Sequence, residues 1–356
     1  MDESIDSNST EHPSTEPPGK EWKWQLRNKI TEIKNGSDDA AKKFPVSITP
    51  YYYSLIQEFN SSDPIFRMVA PQVEELEEIM FSDPLAEDNM SPVPGLVHRY
   101  PDRVLLLSTT FCSVYCRYCT RKRSVGVSDH IISKCQLERI VGYLKLNPQI
   151  TDVIISGGDP LIFETSKLEE IISAIRGVES VQIIRIGSKV PVVLPQRINK
   201  ELTDMLSKYH PIFINTHFNH PREVTPESRK ACEMLVNAGI PMNNQSVLLK
   251  GVNDDKLVYE ELCRKLIQMR VRPYYLFQCD LVNGVEHFRT RVAKGIEIME
   301  HLRGRLSGMA IPQYVIDAPG GKGKIPILPS YLISQTPDKI ILRNYQGEIV
   351  EYPEPK

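Results

Sequence analysis

From Val104 onward, the hydrophobic and polar positions of the chain follow one repeating pattern. A short apolar or β-branched run is followed by polar residues and then by a stretch with helical spacing, such as LERIVGYLKL or LVYEELCRKLIQM. The strand-like runs are VLLLSTT (104–110), DVIISGG (152–158), VQIIRIG (181–187), PIFINTH (211–217), NNQSVLL (243–249) and RPYYLFQCD (272–280). Strands that alternate with helices form parallel sheets with the helices outside. The pattern therefore predicts an α/β fold whose sheet curls into all or part of a barrel.

The two ends of the chain differ from this repeat. Residues 1–20 are rich in Ser, Thr, Glu and Pro with few apolar residues, which predicts a disordered tail. EWKWQLRNKI, from Glu21, predicts a first helix, and we assign 21–98 to an N-terminal helical region. The barrel is assigned to 99–310. Residues 311–356 carry Gly and Pro between short strand-like runs, which predicts hairpins covering the site, with NYQGE as a turn.

Nearly every predicted strand ends in a polar or reactive group. These groups are TTFC, SGGDP, RIGSK, NTHFNH, NNQS and QCDL. In barrels and in open α/β sheets, ligands bind at the C-terminal ends of the strands. This placement predicts an enzyme.

Composition and charge exclude several other classes of protein. The 356 residues are 41% hydrophobic and 25% charged, as in ordinary globular proteins, and the formal net charge of -2 argues against a nucleic-acid surface. No apolar run approaches the roughly 20 residues of a membrane helix, and the start lacks the cationic and then apolar order of a secretory signal. We therefore expect a cytoplasmic protein that binds neither membrane nor nucleic acid. Its seven cysteines, an odd number, are expected to be reduced.

The stretch CSVYCRYCTRKR (112–123) places three cysteines directly after the first predicted strand. Structural zinc needs four protein ligands, and most iron–sulfur clusters also take four thiolates. His98 and His130 do not stand at a recognised zinc spacing. A cluster held by three thiolates leaves one iron open to a small molecule with an amine and a carboxylate. We favour that interpretation over zinc and over cysteines that are merely buried.

The motif CSVYCRYC matches the CxxxCxxC signature of the radical S-adenosylmethionine (SAM) superfamily, and residues 21–354 resemble the lysine 2,3-aminomutase family. Nine blocks occur in the order of that family: HRYPDRVLLL, DVIISGGDPL, RIGSKVPVVLPQRI, NTHFNHPREVT, NNQSVLLKGVND, RPYYLFQCDL, EHFRT, DAPGGKGKIP and DKIILRNYQGEI. The resemblance implies a partial (βα)6 TIM-like barrel of the radical SAM type. It also implies a radical interconversion of L-α-lysine and L-β-lysine.

The resemblance implies which residues hold the cluster and which contact SAM. The thiolates of a [4Fe–4S] cluster, whose open iron binds SAM, would be Cys112, Cys116 and Cys119. Gly157, Gly158 and Asp159 of SGGDP would approach the methionine part of SAM, although a tight strand-to-helix turn explains them as well. His217 and Gln245 would be further SAM contacts. Alternatively, they are buried polar groups satisfied by their neighbours.

A second cofactor, pyridoxal 5′-phosphate (PLP), is implied by the DAPGGKGK segment. By resemblance, Lys324 forms the Schiff base with PLP, and Arg99 and Arg103 bind its phosphate. The alternatives are a surface turn for the lysine and ordinary solvated or salt-bridged arginines. Lys322 stands where the family usually has glycine, so a competing amine lies nearby.

Substrate recognition is implied at three charged residues. Arg121 would hold the substrate α-carboxylate, unless the TRKR run is only a solvated basic loop. Asp280 and Asp317 would hold the distant side-chain ammonium, because two converging carboxylates repel each other unless a cation lies between them. A cationic amino acid is therefore expected. Lysine is favoured over arginine, whose planar head needs a deeper and flatter pocket.

Several expectations remain open in the sequence. The same lysine reaction could serve elongation factor P modification, and the remote alternative is a non-catalytic iron–sulfur protein. A reduced flavodoxin- or ferredoxin-type protein is expected to donate the electron, and a homodimer or higher homo-oligomer is expected. Asp255 follows GVND where zinc-containing relatives have cysteine, so no structural zinc is predicted.

Overall fold

The computed structural model describes residues 21–355, so the predicted tail 1–20 lies outside the described residues. They are built around a nine-stranded sheet in which the strands neighbour one another in chain order. Its strands are β1 Leu96–Tyr100, β2 Arg103–Thr109, β3 Asp152–Gly157, β4 Ile183–Gly187, β5 Ile212–Thr216, β6 Met242–Leu248, β7 Val271–Gln278, β8 Gln313–Ala318 and β9 Gly323–Pro326. Strands β2 to β8 run parallel, whereas β1 and β9 pair antiparallel at the two edges. Within residues 21–355 no pairing joins β1 to β9, so the barrel stays open.

Short helices precede the sheet, and further helices connect its parallel strands. The helices before the sheet are α1 Glu21–Arg27, α2 Asp38–Lys43, α3 Pro50–Tyr53 and α4 Pro64–Val69. The connecting helices are α5 Lys134–Leu146, α6 Thr165–Arg176, α7 Val190–Val193, α8 Lys200–Ser207, α9 Pro226–Asn237, α10 Lys256–Gln268 and α11 Val292–Leu302. In α5 the Ser133 side chain caps the first turn, and Leu137, Ile140 and Leu144 share one buried face. Apolar residues at such spacing bury each helix against the sheet.

Alternation along the strands separates the core from the barrel interior. In β3, Val153 and Ile155 are fully buried, whereas Ile154 and Ser156 line an internal cavity. Successive strand residues point to opposite faces, so one set packs in the core that the helices share and the other faces inward. The core therefore lies between the sheet and the helices, and the side chains of the inward face are available to form a functional site.

All six strands predicted from the sequence are present within a residue or two of their expected bounds. The sheet is larger than that prediction, because β8 adds a seventh parallel strand after α11. The sheet therefore continues past residue 310, the predicted end of the barrel. Strand β1 likewise extends the sheet into the region predicted as helical.

A separate antiparallel sheet ends the described chain and consists of β10 Leu332–Gln335, β11 Lys339–Arg343 and β12 Ile349–Pro353. The predicted NYQGE turn connects β11 to β12 and is closed by the Gly347 N–H, which donates to Asn344 O at 3.1 Å. One face of this sheet is apolar and open, with Leu332 49%, Val350 42% and Tyr352 59% exposed. None of its strands lines the cavity, so only the β8–β9 hairpin of the predicted C-terminal cover reaches it.

Among residues 21–355, no helix has the length and apolar character needed to cross a lipid bilayer.

Candidate active site

The open barrel encloses a cavity of about 610 Å³. The predicted site residues that line it are Arg99, Arg103, Arg121, His217, Gln245, Asp280, Asp317 and Lys324. The cavity is large enough for an amino acid together with cofactor groups. The remaining predicted residues, Cys112, Cys116, Cys119, Gly157, Gly158 and Asp159, lie beside the cavity, on the loops that follow β2 and at the end of β3.

The three cysteines lie on the loop after β2 and carry free, partly buried thiols. Burial raises the pKa of each thiol, most strongly that of Cys112. Nearby cations act in the opposite direction: Lys29 on Cys112, Lys189 on Cys116, and Arg121 with Lys122 on Cys119. Within the described residues, no three His, Cys, Asp or Glu side chains stand close enough to share one metal ion.

The chemistry of this loop fits a [4Fe–4S] cluster. Thiolates are the ligands that such clusters use, and neighbouring positive charge offsets the negative charge of a thiolate-bound cluster. The backbone N–H of Arg121 donates to Cys119 Sγ at 3.4 Å, and Lys29 Nζ donates to Cys112 O at 3.0 Å. Hydrogen bonds from N–H groups to cluster sulfurs belong to the environment that sets a cluster's reduction potential.

The two glycines of SGGDP allow the end of β3 to pack on the entrance of the cysteine loop. Gly157 has φ +124, and a methyl group on Gly158 would overlap the carbonyl oxygen of Phe111. Gly158 N–H donates to Thr109 O at 2.5 Å, and Asp159 N–H donates to Phe111 O at 2.7 Å. A glycine is needed at both positions for backbones to approach so closely. Their predicted contact with SAM stays a prediction.

The Asp159 carboxylate is buried and holds the loop after β4. It accepts hydrogen bonds from Ser188 Oγ at 2.6 Å and from the N–H groups of Leu161, Lys189 and Val190. This carboxylate does not line the cavity, so its hydrogen bonds favour a positioning role. Through that loop it fixes Lys189, whose Nζ donates to the carbonyl oxygen of His217 at 3.1 Å.

His217 directly follows β5, and Gln245 lies in the neighbouring strand β6. His217 Nδ1 donates to Gln245 O at 3.0 Å. Burial lowers the pKa of His217 to about 4, so the ring is neutral at pH 7. A neutral ring that donates through Nδ1 leaves Nε2 as a hydrogen-bond acceptor. Such an acceptor suits the hydroxyl or amino groups of a nucleoside.

Arg121 is held by Glu87, which the sequence analysis did not single out. Glu87 accepts Arg121 Nε–H at 2.9 Å and Nη2–H at 2.6 Å in a bidentate pair. Burial acts to raise the Glu87 pKa, but Arg121 and Arg123 outweigh it and hold the pKa at about 2. The pair occupies one edge of the guanidinium and leaves other N–H groups of Arg121 for a second carboxylate.

Asp317 lies between two cations. Arg99 Nη1 is 2.7 Å from one carboxylate oxygen of Asp317, and Lys324 Nζ is 3.0 Å from the other. Asp317 and Lys324 are cross-strand partners in the β8–β9 hairpin, which explains their proximity. Arg99 was predicted to bind a phosphate, yet here its guanidinium is paired with this carboxylate. The binding of a phosphate by Arg99 stays a prediction.

Asp280 follows the end of β7, next to β8, and has no hydrogen bond or ion pair within residues 21–355. Burial and the neighbouring charge of Asp317 raise the pKa of Asp280 to about 7. The two carboxylates are therefore close enough to repel each other, as their sequence positions predicted. A buried charge without an ion pair is unfavourable, so a cation in the cavity would stabilise the charged form of this carboxyl group.

Other polar residues of the cavity come from the inward face of the strands. Arg185 forms an ion pair with Asp152 at 2.8 Å. Arg103 stacks over Tyr100 at 3.8 Å, and the Tyr100 hydroxyl accepts the backbone N–H of Lys324 at 3.0 Å. Period-two alternation along the predicted strands could have identified Asp152 and Arg185 as inward-facing. Glu87 carries no comparable signal, because it lies in an irregular segment.

An open parallel barrel with three cysteines on the loop after its first parallel strand defines a class of enzyme, the radical SAM superfamily. The family model of that description, "Radical SAM superfamily", matches residues 106–259. A second model, "Lysine-2,3-aminomutase", matches residues 299–356. The chain belongs to the lysine 2,3-aminomutase family, as the sequence motifs predicted.

Full-length comparisons support this membership. The chain is 50% identical to the L-lysine 2,3-aminomutase of Fusobacterium nucleatum, over 96% of this chain and 84% of that protein. It is 51% identical to the L-lysine 2,3-aminomutase of Clostridium subterminale, over 94% of this chain and 84% of that protein. The glutamate 2,3-aminomutase of Clostridioides difficile is 42% identical, over 95% of this chain and 83% of that protein. Family membership alone therefore leaves the amino acid substrate to be argued from the site.

Proposed function

We propose that the protein is a lysine 2,3-aminomutase that interconverts L-α-lysine and L-β-lysine. The observation that carries this proposal is the unpaired Asp280 carboxylate beside Asp317. A lysine ε-ammonium between them would relieve their repulsion and supply the missing counter-ion. The carboxylate of glutamate would instead add a third negative charge at this position. Relatives named L-lysine 2,3-aminomutase, about half identical in sequence, support the same substrate.

The residues of the cavity suit the two ends of lysine. Arg121, fixed by Glu87, would bind the α-carboxylate, and Asp280 with Asp317 would bind the ε-ammonium. Holding both ends orients the carbon that must lose a hydrogen atom, and such orientation contributes strongly to rate. The walls of the barrel would surround that carbon and limit its contact with water.

Three protein groups would hold the cofactors of this reaction. The thiolates of Cys112, Cys116 and Cys119 would bind the cluster, His217 and Gln245 would contact SAM, and Lys324 would attach PLP with Arg103 near its phosphate. Together, a reduced cluster with SAM and PLP supply a hydrogen-abstracting radical and a π-system that stabilises the rearranging substrate. Such chemistry is needed because no side-chain base can remove a proton from the unactivated β-carbon.

The test is product formation by the anaerobically reconstituted enzyme. Lysine, arginine and glutamate are each incubated with SAM, PLP and a reductant, and the products are separated by chromatography. The proposal predicts β-lysine from lysine, and arginine or glutamate turned over at least about tenfold more slowly. Preferential turnover of arginine would move the proposal to an arginine 2,3-aminomutase. Turnover of glutamate alone would contradict the role given to the two aspartates.

We propose further that the chain acts as a homodimer or higher homo-oligomer in the cytoplasm, with a reduced flavodoxin- or ferredoxin-type protein as electron donor. The exposed apolar face of the β10–β12 sheet, with Leu332, Val350 and Tyr352, supports self-association. The need of the cluster for one electron supports a small redox protein as partner. Light scattering during size-exclusion chromatography tests the first point, and turnover with each purified donor tests the second.

A further inference from the structure

The Lys324 ammonium lies where a substrate ammonium would bind. Its Nζ is 3.0 Å from Asp317 Oδ2, and Arg99 holds the other oxygen of the same carboxylate at 2.7 Å. Asp317 is largely buried, with a side chain 7% exposed, so it has little room for a third cation. Of the two carboxylates predicted to receive the substrate, one is thus already saturated by the protein.

The two cations on Asp317 differ in how easily they can leave. Arg99 has a side chain only 10% exposed and is an arginine, whose guanidinium stays charged under all ordinary conditions. Lys324 is 29% exposed, lines the cavity and is the residue predicted to become covalently attached to PLP. An amine that reacts with an aldehyde must first lose its proton.

We infer that Lys324 has a second role: in the cofactor-free chain its ammonium is an internal competitor for the substrate-ammonium site at Asp317. The site becomes complete only when Lys324 leaves that carboxylate. This inference rests on the proposed function, because it takes the pair Asp280 and Asp317 as the ammonium site. It makes substrate binding depend on prior attachment of the cofactor.

Attachment of PLP would remove the competitor by ordinary condensation chemistry. The C=N bond forms between Lys324 Nζ and the aldehyde carbon while the C=O bond breaks. Two of the three ammonium hydrogens leave with the aldehyde oxygen as water, and the third is released as a proton. No oxidant or reductant is needed. Asp317 then keeps Arg99 alone, and the oxygen at Oδ2 becomes available together with Asp280.

The experiment uses 6-aminohexanoate, which is lysine without its α-amino group, so binding can be measured without the reacting amine. Hexanoate is the control ligand that lacks the ammonium. Isothermal titration calorimetry on the full-length, cofactor-free chain compares wild type with Lys324→Met. The variant is expected to bind 6-aminohexanoate at least about tenfold more tightly, because the neutral side chain vacates Asp317. Neither protein should gain affinity for hexanoate.

Two control variants test whether the effect comes from the charge at position 324. One keeps a cation there, and the other removes a different lysine. Lys324→Arg keeps a cation beside Asp317 and is expected to bind as weakly as wild type. Lys322→Met removes an exposed lysine two residues away and should also leave the affinity unchanged. PLP-loaded wild type, which needs no substitution, is expected to bind about tenfold more tightly than the cofactor-free chain.

The outcomes distinguish this inference from the proposed function. If 6-aminohexanoate binds better than hexanoate, but equally well in wild type, Lys324→Met and PLP-loaded protein, the internal competition is absent and the inference is overturned. If no form prefers 6-aminohexanoate over hexanoate, the aspartate pair is not an ammonium site. That result would overturn the proposed function as well.

Discussion

Asp280 and Asp317 stand at the C-terminal ends of the neighbouring strands β7 and β8, and only Asp317 has partners. Arg99 and Lys324 hold Asp317, whereas Asp280 has no hydrogen bond or ion pair within residues 21–355. Burial and the charge of Asp317 favour the protonated form of Asp280, whereas Arg99 and Lys324 act in the opposite direction. The buried Asp280 carboxyl group is therefore a stability cost in the empty protein, and under the proposed function it would contribute binding energy for a cationic substrate.

Replacing either aspartate should impair lysine turnover far more than cluster assembly. Loss of one partner of a buried charge pair costs about 2–5 kcal/mol. We therefore expect Asp280→Asn and Asp317→Asn each to lower kcat/KM for lysine by about 30-fold or more, with an unchanged iron content. Asp338→Asn, at an exposed position, is the control. Unchanged lysine kinetics in both variants would count decisively against the assigned role.

The stability of the cofactor-free protein should depend on pH through Asp280. Burial raises the pKa of this carboxyl to about 7, whereas an unfolded aspartic acid titrates near about 3.9. The folded state binds this proton more tightly than the unfolded state does. The contribution of Asp280 to the free energy of unfolding is therefore complete below about pH 4 and is lost as the pH rises towards about 7. In Asp280→Asn, the fall in the free energy of unfolding between these pH values should be smaller than in the wild type by about 1–3 kcal/mol.

Urea unfolding at several pH values between 4 and 8 measures this difference. The variant Asp129→Asn, at an exposed position, should keep the pH dependence of the wild type. A wild-type slope that persists unchanged in Asp280→Asn would show that another group titrates in this range.

Cys116→Ala should abolish SAM cleavage and leave PLP binding intact. Cys116 lies on the loop after β2 and does not line the cavity, whereas Lys324 lies in β9 and does line it, so the two sites can be lost separately. Cys135→Ala, at an exposed position in α5, should retain cleavage. The assay is formation of 5′-deoxyadenosine under reducing, anaerobic conditions. Cleavage that survives in Cys116→Ala would show that the cluster assignment is wrong.

Lys324→Ala should lose the PLP absorbance band, and Lys322→Ala should keep it. Lys324 lines the cavity, where its amine would condense with the aldehyde of PLP, whereas Lys322 is exposed and does not line the cavity. Visible spectra of the two variants after addition of PLP and removal of the excess give the answer. Borohydride reduction followed by peptide mapping would reveal an attachment at Lys322, which would contradict this assignment.

The sequence predicted the parts of the fold that depend on local pattern. Six strands follow from continuous apolar runs, and the cysteine loop follows from its motif directly after β2. Strand β8 was placed among hairpins because its neighbours Pro319, Gly320 and Gly321 signal a turn, and nothing local distinguishes a strand in a hairpin from one that also joins a barrel. The pairing partner, not the residue sequence of β8 itself, decides its place.

The partners of the site residues could not be predicted for the same reason. Glu87 is separated from Arg121 by 34 positions and Arg99 from Asp317 by 218. Such contacts depend on the path of the whole chain. The sequence indicated which charges are candidates for substrate binding, but only the structure pairs Arg99 with Asp317 and leaves Asp280 free of an ion pair within residues 21–355. The inferred competition by Lys324 rests on that difference.

The proposed reaction depends on three cysteines that hold an iron–sulfur cluster and leave one iron to SAM. Iron and acid-labile sulfide are measured on anaerobically reconstituted protein, and the electron paramagnetic resonance spectrum of the reduced protein is recorded with and without SAM. We expect about four iron and four sulfide per chain and a spectrum that changes when SAM is added. Protein without iron and sulfide, zinc at the three cysteines, or a spectrum indifferent to SAM would contradict this expectation.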